Sequence, residues 1–281
     1  MLNPIALKSW WRNLDPVWRW NTRHARGLAG AMVDDRNLFD VSLQDQGIAT
    51  IDLTADLLTE LVTYKDSITK KYENPRKPFL IEYWPTGGVL DFANPFVTKV
   101  ALNPKILAVV TKYLGCWPRL YDYRLWETKV VPETQQKIYS QSWHRDPEDR
   151  KLLNVFIYLN DVLDIGTGPF HYIPKSQRGG IFQKEFPQLL PPKASYPGDR
   201  NVEERFSKDQ IMVCIAPAGT LIFADTAGLH KGGFSTKKPR LMSKCLYITD
   251  GNFKRHKTRY SLPKNLPSDL TKQQLYAIGA I

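Results

Sequence analysis

The sequence contains few cysteines and no long apolar run. Its three cysteines, Cys116, Cys214 and Cys245, are far apart and form no CxxC pair, which excludes a zinc ribbon and a dithiol redox motif. Cys214 and Cys245 lie within apolar runs, so we expect buried, reduced thiols in a cytoplasmic protein. No run approaches the roughly 18 apolar residues of a transmembrane helix, and charged residues interrupt the N-terminus too often for a secretory signal.

Acidic residues are in the minority. The chain has 39 Lys and Arg against 28 Asp and Glu, a formal net charge of +11. Such an excess can attract nucleic acid, an anionic membrane or an acidic small molecule. The basic residues are dispersed in short clusters and accompany no recognised nucleic-acid module. We therefore expect mostly solvated surface and no nucleic-acid partner, while an anionic substrate is compatible with the excess.

Residues 1–45 are rich in tryptophan and in basic residues. Four of the eight tryptophans lie there: Trp10, Trp11, Trp18 and Trp20. We predict an N-terminal arm that packs over the core through its indoles. The alternative is peripheral membrane contact through residues 1–26. We favour packing because interfacial helices usually show a cleaner apolar stripe.

Residues 46–281 are predicted to form a single domain. Its first half contains a strand at 47–53 and an amphipathic helix at 55–71, which Thr54 can cap. A second helix is predicted between Asn103, a capping residue followed by Pro104, and Gly115, a residue typical of the position just past a helix end.

From about residue 120 to 250, short runs rich in Val, Ile, Tyr and Phe alternate with Gly, Pro and Asp. Many short strands without alternating helices predict a mainly β, antiparallel sandwich or jelly roll. Residues 181–210 interrupt this series with several prolines and are predicted to be a long, functional insertion.

The triplet His144-Arg145-Asp146 lies at the edge of one predicted strand. Side chains two residues apart on a strand point to the same face, so one imidazole and one carboxylate can bind one metal ion. Such a triplet arises easily by chance, and by itself it favours an exposed or capping pair. His230 adds a third ligand, because it ends the strand and turn GTLIFADTAGLH. In a jelly roll these two strands are expected to lie side by side near the mouth of the barrel.

Two histidines and one carboxylate form the facial triad of non-haem Fe(II) oxygenases, which leaves coordination positions open. Zinc fits less well, since no cysteine is near. Arg240 begins a later strand that is expected to return beside His230. A guanidinium there can bind a carboxylate through two hydrogen bonds. A co-substrate that chelates the iron and carries a remote carboxylate fits this arrangement; a surface arginine in a basic turn is the alternative.

Residues 143–180, WHRDPEDRKLLNVFIYLNDVLDIGTGPFHYIPKSQRGG, resemble the central signature of the phytanoyl-CoA dioxygenase family. In that family W-H-x-D precedes a strand ending near L-x-D-V, a Gly/Pro turn and I-P-G-S-H. The block GTLIFADTAGLH, followed ten residues later by Arg240, resembles the family's second signature. The resemblance covers roughly residues 120–250, and the helical region 47–115 also suits the family's N-terminal half.

This resemblance implies a double-stranded β-helix, a cupin-like jelly roll with flanking N-terminal helices. It implies Fe(II) bound by His144, Asp146 and His230, and 2-oxoglutarate bound through its far carboxylate to Arg240. Lys129, on the strand before the triplet, is a further candidate contact for the co-substrate. The implied reaction consumes O2 and 2-oxoglutarate, releases succinate and CO2, and hydroxylates a substrate.

Two departures from the family pattern are visible. Pro174-Lys175-Ser176-Gln177 replaces P-G-S-H, and the Gly/Pro turn at 166–169 has one extra residue. Both lie outside the predicted ligand set. Asp146 is retained where related halogenases have a small residue, which favours hydroxylation over halogenation.

No sequence motif identifies the substrate. We expect a small-molecule or lipid-type compound, selected by residues 181–210 and by the N-terminal arm. Two alternatives stay open: a jelly-roll protein that binds metal without turnover, and an oxygenase acting on nucleic acid or protein, which the net charge suggests.

Overall fold

The computed structural model describes residues 11–12, 14–30, 38–84, 87–190, 194–252 and 258–281. The strands are β1 (Ile48–Asp52), β2 (Tyr72–Glu73), β3 (Leu80–Glu82), β4 (Arg119–Thr128), β5 (Leu153–Tyr158), β6 (Phe170–Tyr172), β7 (Met212–Cys214), β8 (Thr220–Ala224), β9 (His230–Lys231) and β10 (Arg240–Ile248). The helices are α1 (Asp15–Ala29), α2 (Leu38–Gln46), α3 (Ala55–Ser67), α4 (Pro104–Leu114), α5 (Asp199–Arg205) and α6 (Lys272–Ile278). A π-helical segment covers Phe96–Ala101, and 3₁₀ turns cover Tyr139–Gln141 and Lys208–Gln210.

The strands form two antiparallel sheets. The larger has the order β1-β8-β5-β10-β4-β3-β2, and the smaller has the order β7-β6-β9. Neighbours in the larger sheet are mostly distant in sequence: β10 pairs with both β4 and β5, and β5 pairs with β8. This is the double-stranded β-helix that the sequence predicts.

Strand β5 shows how the layers pack, because all six of its residues are buried. Phe156 and Tyr158 belong to the apolar core shared with Phe170 and Tyr172 of the smaller sheet. The alternate residues of β5 face the opposite way, into a core shared with α3 and α4. Each large apolar side chain buried in these layers stabilises the fold by roughly 1.5–3 kcal/mol. Strand β5, near the centre of the larger sheet, is therefore covered on both faces.

The two helices predicted before the β-rich region are present. Thr54 caps α3 by accepting a hydrogen bond from the backbone N–H of Leu57. This helix ends at Ser67 rather than at residue 71, because Ile68 is already extended and leads towards β2. Asn103 caps α4, and Gly115 ends it with φ of 72°, a left-handed conformation that glycine adopts without strain.

The N-terminal arm contributes α1, whose residues Thr22 and Ala25 are buried. Of the predicted indole contacts, Trp18 lies against Gly251, where an added Cβ would meet the indole ring. Trp11 and Trp20 are 57% and 65% exposed, so these two indoles do not pack over the core. Trp10 lies outside the described residues. Within the described ranges, no helix combines the length and apolarity that a membrane crossing needs.

The insertion at 181–210 is more ordered than a plain loop. It contains α5 and a 3₁₀ turn; residues 191–193 lie outside the described part. Val202 and Phe206, one helical turn apart, are buried against Trp143 and Leu229. The sequence did not predict this short helix, because two apolar residues among many prolines and glycines give no clear helical pattern. The three cysteines are free and buried, as predicted.

Candidate metal centre

The backbone brings His144 and His230 together through one antiparallel bridge. The N–H of His144 donates to the carbonyl oxygen of His230 at 2.9 Å, and the reverse bond measures 3.0 Å. The centroids of the two imidazole rings are 4.1 Å apart. His230 is the first residue of β9, while His144 lies outside the named strands, in a segment whose isolated bridges pair His144 with His230 and Arg145 with Ser195. Two residues far apart in sequence thus become direct cross-strand neighbours.

Asp146 completes a compact group of three donors. Its Oδ1 lies 3.7 Å from Nε2 of His144, and its Oδ2 lies 3.9 Å from Nε2 of His230. One ligand atom from each residue lies within 4.8 Å of the other two. Donors at such separations can share one divalent ion through bonds of about 2 Å. The geometry and the residue types therefore fit a metal ion.

Hydrogen bonds behind the rings orient both imidazoles. Nδ1 of His144 donates to the carbonyl oxygen of Ser142 at 2.9 Å, and Nδ1 of His230 donates to that of Gly228 at 3.0 Å. Because Nδ1 carries the proton, the Nε2 lone pair is free and points to the site. Burial lowers the pKa of His144 to about 3 and also lowers that of His230. Both rings are neutral at neutral pH, the form that binds metal.

The carboxylate of Asp146 is held from the side. The hydroxyl of Thr226 donates to Oδ2 at 2.6 Å, and Nδ2 of Asn154 donates to the same oxygen at 3.3 Å. Asn154 also donates to the Thr226 hydroxyl at 2.6 Å. Burial raises the pKa of Asp146, but the neighbouring imidazoles, Lys244 and the Thr226 hydroxyl outweigh it and lower the pKa to about 2. Asp146 is therefore an oriented carboxylate.

Sequence patterns did not identify Thr226 and Asn154. Thr226 lies four residues before His230, within the motif that contains that histidine, and Asn154 is the second residue of β5. Both side chains are buried. A signal existed in the sequence, since a threonine and an asparagine in strongly apolar surroundings need partners when buried.

A cavity reaches from the triad to Arg240, the first residue of β10. Arg240 is buried, and its guanidinium donates to the carbonyl oxygens of Gly168 and Gly232. In the described part of the chain, its Nε has no hydrogen-bond partner. A buried N–H without a partner costs free energy that an incoming carboxylate can recover. The position of Arg240 at the cavity and its buried positive charge therefore suit it to bind an anion.

Three more cations line the same cavity: Lys77, Arg124 and Lys244. The sequence patterns did not single them out, because they lie on separate segments. The wall between the charged groups is apolar and consists of Phe79, Leu80, Trp126, Phe156, Phe170 and Met242. The cavity therefore combines a potential metal site, a positive lining and apolar surface.

Lys129 and His171 are not among the residues that line this cavity. Lys129, just past the end of β4, forms an ion pair of 3.0 Å with Glu73. The structure thus does not bring Lys129 to the triad, although the sequence resemblance suggested a contact with the co-substrate. His171 packs edge-on against Trp143, with ring centroids 6.3 Å apart.

The insertion at 181–210 reaches the triad. The ring of Tyr196 stacks on His144, with centroids 5.5 Å apart and an interplanar angle of 15°. Arg145, between the two triad residues, is buried and donates to the backbone carbonyls of Glu185 and Phe186. The insertion is therefore fastened beside the candidate metal ligands.

Comparisons with known proteins identify relatives by structure alone. No family model and no curated protein sequence matches the chain. Among solved structures, the epimerase SnoN in complex with Fe3+, alpha ketoglutarate and nogalamycin RO matches with a TM-score of 0.55 and 16% identity, over 75% of this chain and 82% of that chain. HygX from Streptomyces hygroscopicus, with nickel and 2-oxoglutarate bound, matches with a TM-score of 0.54 and 15% identity, over 85% of this chain and 94% of that chain. EctD from S. alaskensis with bound Fe matches with a TM-score of 0.57 and 15% identity, over 86% of both chains. At such identities the likeness establishes the fold: the chain has the double-stranded β-helix of these metal-binding proteins.

Proposed function

We propose that the chain is an Fe(II)- and 2-oxoglutarate-dependent oxygenase that hydroxylates a small-molecule or lipid-type substrate. The convergence of two neutral imidazoles and one carboxylate at the end of a cavity carries this proposal. This donor set suits Fe(II) and leaves coordination positions for a chelating co-substrate and O2. The fold shared with SnoN, HygX and EctD supports it.

In this proposal His144, Asp146 and His230 hold the iron, and Arg240 binds the far carboxylate of 2-oxoglutarate. The bound iron supplies the oxidising chemistry: one atom of O2 enters succinate as 2-oxoglutarate loses CO2, and the other enters a C–H bond of the substrate to give an alcohol. The buried guanidinium of Arg240, which lines the cavity, would gain an anionic partner when the co-substrate binds. Arg240 would therefore favour binding of the co-substrate in addition to the metal ion.

The protein orients the reactants and limits access of water. The Nδ1 hydrogen bonds keep both Nε2 atoms directed at one point, and Thr226 fixes the carboxylate. Phe170 packs near His230, with ring centroids 5.7 Å apart, and contributes to an apolar wall. Tyr196 places the insertion at the same end, which supports a role for residues 181–210 in substrate selection.

Two finer parts of the proposal rest on the sequence. The W-H-x-D and G-x-L-x-F motifs with Arg240 support membership of the phytanoyl-CoA dioxygenase family. The carboxylate at position 146 supports hydroxylation rather than halogenation, because it occupies a ligand position that a halide would need.

The direct test is formation of succinate from 2-oxoglutarate. Protein loaded anaerobically with Fe(II) should release succinate and CO2 once O2 is admitted, and omission of either Fe(II) or O2 should abolish release. Protein loaded with Zn(II) is the matched control, since zinc has no redox chemistry. If no succinate forms, alone or with a panel of candidate substrates, the chain is a metal-binding jelly roll without turnover.

A further inference from the structure

The cavity is lined by more cations than carboxylates. Arg124 forms ion pairs with Glu82 at 3.0 Å and Asp122 at 2.8 Å, and Lys244 lies 3.8 Å from Asp122. These two cations are thus compensated by carboxylates of the protein. Arg240 is the co-substrate ligand in the proposed function, which leaves Lys77 to be explained.

Lys77 has a hydroxyl as its side-chain partner. Its Nζ donates to Oγ of Ser140 at 3.0 Å, and no described carboxylate lies within ion-pair distance. Burial, together with the charges of Lys244 and Arg124, lowers the pKa of Lys77 to about 8 against the opposing effect of Asp146 and Glu148. An amine in these surroundings keeps its charge at neutral pH at a cost in free energy, which a nearby anion would offset.

The sum of the charges in the cavity, with a metal ion and 2-oxoglutarate bound, also indicates that a further anion binds there. A divalent metal ion and dianionic 2-oxoglutarate cancel each other. Asp146 and Glu82 line the cavity, and Asp122 pairs with Arg124 and Lys244 from outside the lining, so three carboxylates balance three of the four cations. Glu148, which also acts on Lys77, lies 3.9 Å from Arg259, and this pair adds no net charge. One positive charge is left over, and uncompensated charge in a partly buried cavity is unfavourable. The remaining component of the complex, the substrate, can supply the missing negative charge.

We propose that Lys77 and the Ser140 hydroxyl bind a carboxylate of the substrate, so that the substrate is an organic anion. This inference rests on the proposed function. The carbon chain next to the carboxylate would lie against the apolar wall, to which Phe79, Leu80 and Trp126 contribute. Lys77 lies in the turn between β2 and β3, and its carbonyl oxygen accepts a hydrogen bond from the N–H of Leu80 at 2.8 Å, so its backbone is anchored beside the larger sheet.

The test compares two probes of nearly the same shape, the anion hexanoate and the neutral amide hexanamide. Both are titrated calorimetrically at pH 7 into protein loaded with Fe(II) and 2-oxoglutarate under argon, where no turnover occurs. We expect hexanoate to bind at least about tenfold more tightly than hexanamide, since a charge-assisted hydrogen bond is at stake. Equal affinities, or no measurable binding of hexanoate, would overturn the proposal.

Variants locate the binding group. Lys77→Gln should weaken hexanoate binding about tenfold and leave hexanamide binding unchanged. Lys77→Arg, which retains the charge, should keep most of the affinity. Lys129→Gln removes a lysine that pairs with Glu73 away from the cavity and should have no effect. Circular dichroism checks that each variant is folded. If Lys77→Gln unfolds, Lys77→Arg keeps the test decisive through its pH profile, because its hexanoate affinity should no longer decline above pH 8.

A competing occupant of Lys77 is 2-oxoglutarate itself. If Lys77→Gln raises the 2-oxoglutarate concentration needed for half-maximal binding and leaves hexanoate binding unchanged, Lys77 serves the co-substrate and the proposal fails. Failure of the proposed function gives another result. In that case wild-type protein forms no succinate, whether or not hexanoate binding depends on Lys77.

Discussion

The two ends of the cavity are built in opposite ways. At the metal end, each triad side chain already has its hydrogen-bond partner on the side away from the site: Ser142 for His144, Gly228 for His230 and Thr226 for Asp146. At the cationic end, the Nε of Arg240 has no described partner, and Lys77 has a hydroxyl in place of a carboxylate.

This difference indicates which parts of the site are complete before any ligand arrives. The metal end is organised by the protein alone, so its donors need little rearrangement to bind an ion. The cationic end carries unsatisfied donors and surplus charge, so anionic ligands complete it. Substitutions at the metal end should therefore affect the metal first, and substitutions at the cationic end should affect the organic ligands.

The largest effect is expected for Asp146→Ala. Loss of the carboxylate leaves two neutral imidazoles, which hold Fe(II) poorly without the negative ligand. Succinate formation should fall to background, and equilibrium dialysis should show loss of bound Fe(II). Asp161→Ala, which changes an exposed aspartate outside the cavity, is the control. Full activity of Asp146→Ala would refute the metal assignment.

Arg240→Gln should act on the co-substrate. The KM for 2-oxoglutarate should rise about tenfold to a hundredfold, because a charged hydrogen-bonding partner is lost. Iron affinity should be unchanged. Arg200→Gln, at an exposed ion pair with Glu204, should leave the KM at its wild-type value. An unaltered KM in Arg240→Gln would mean that the far carboxylate binds elsewhere.

Thr226→Val should act on the metal and spare the co-substrate. Valine keeps the shape of threonine but cannot donate to Oδ2 of Asp146, so Fe(II) affinity should fall by about 10- to 100-fold. Thr226→Ser retains the hydroxyl and should bind Fe(II) nearly as well as wild type. Metal titration distinguishes the two variants. Equal affinity in Thr226→Val and wild type would show that the carboxylate needs no such support.

The smallest effect concerns pH. Because burial lowers the pKa of Lys77 to about 8, its amine is charged below that pH and loses its charge above it. Hexanoate affinity should be constant below pH 8 and fall by about tenfold per pH unit above it. In Lys77→Arg the decline should vanish, since arginine stays charged. A decline that persists in Lys77→Arg would have to come from another group.

The sequence was most informative where residue type and spacing both carry chemistry. His144, Asp146, His230 and Arg240 could be named in advance, and the structure places these four side chains on one cavity. The ends of α4 were equally predictable, since capping by Asn103 and Gly115 is a local effect.

The supporting groups depend on packing between distant segments. Thr226 and Asn154 meet Asp146 because β5 and β8 are neighbours in the sheet, and no motif encodes that pairing. Lys77, three residues before β3, lines the cavity. Lys129 follows β4 at the same end of the β3–β4 pairing, yet it forms an ion pair with Glu73. Local patterns thus predict the ligands, and the sheet topology decides what surrounds them.

The most direct test of the metal centre is anomalous diffraction at the iron edge, from crystals loaded anaerobically with Fe(II) and 2-oxoglutarate. One strong peak should lie within bonding distance of Nε2 of His144, Nε2 of His230 and a carboxylate oxygen of Asp146, with the far carboxylate of the co-substrate at Arg240. A peak that touches fewer than three of these side chains, or an iron-free triad in crystals with iron elsewhere, would contradict the proposed enzyme.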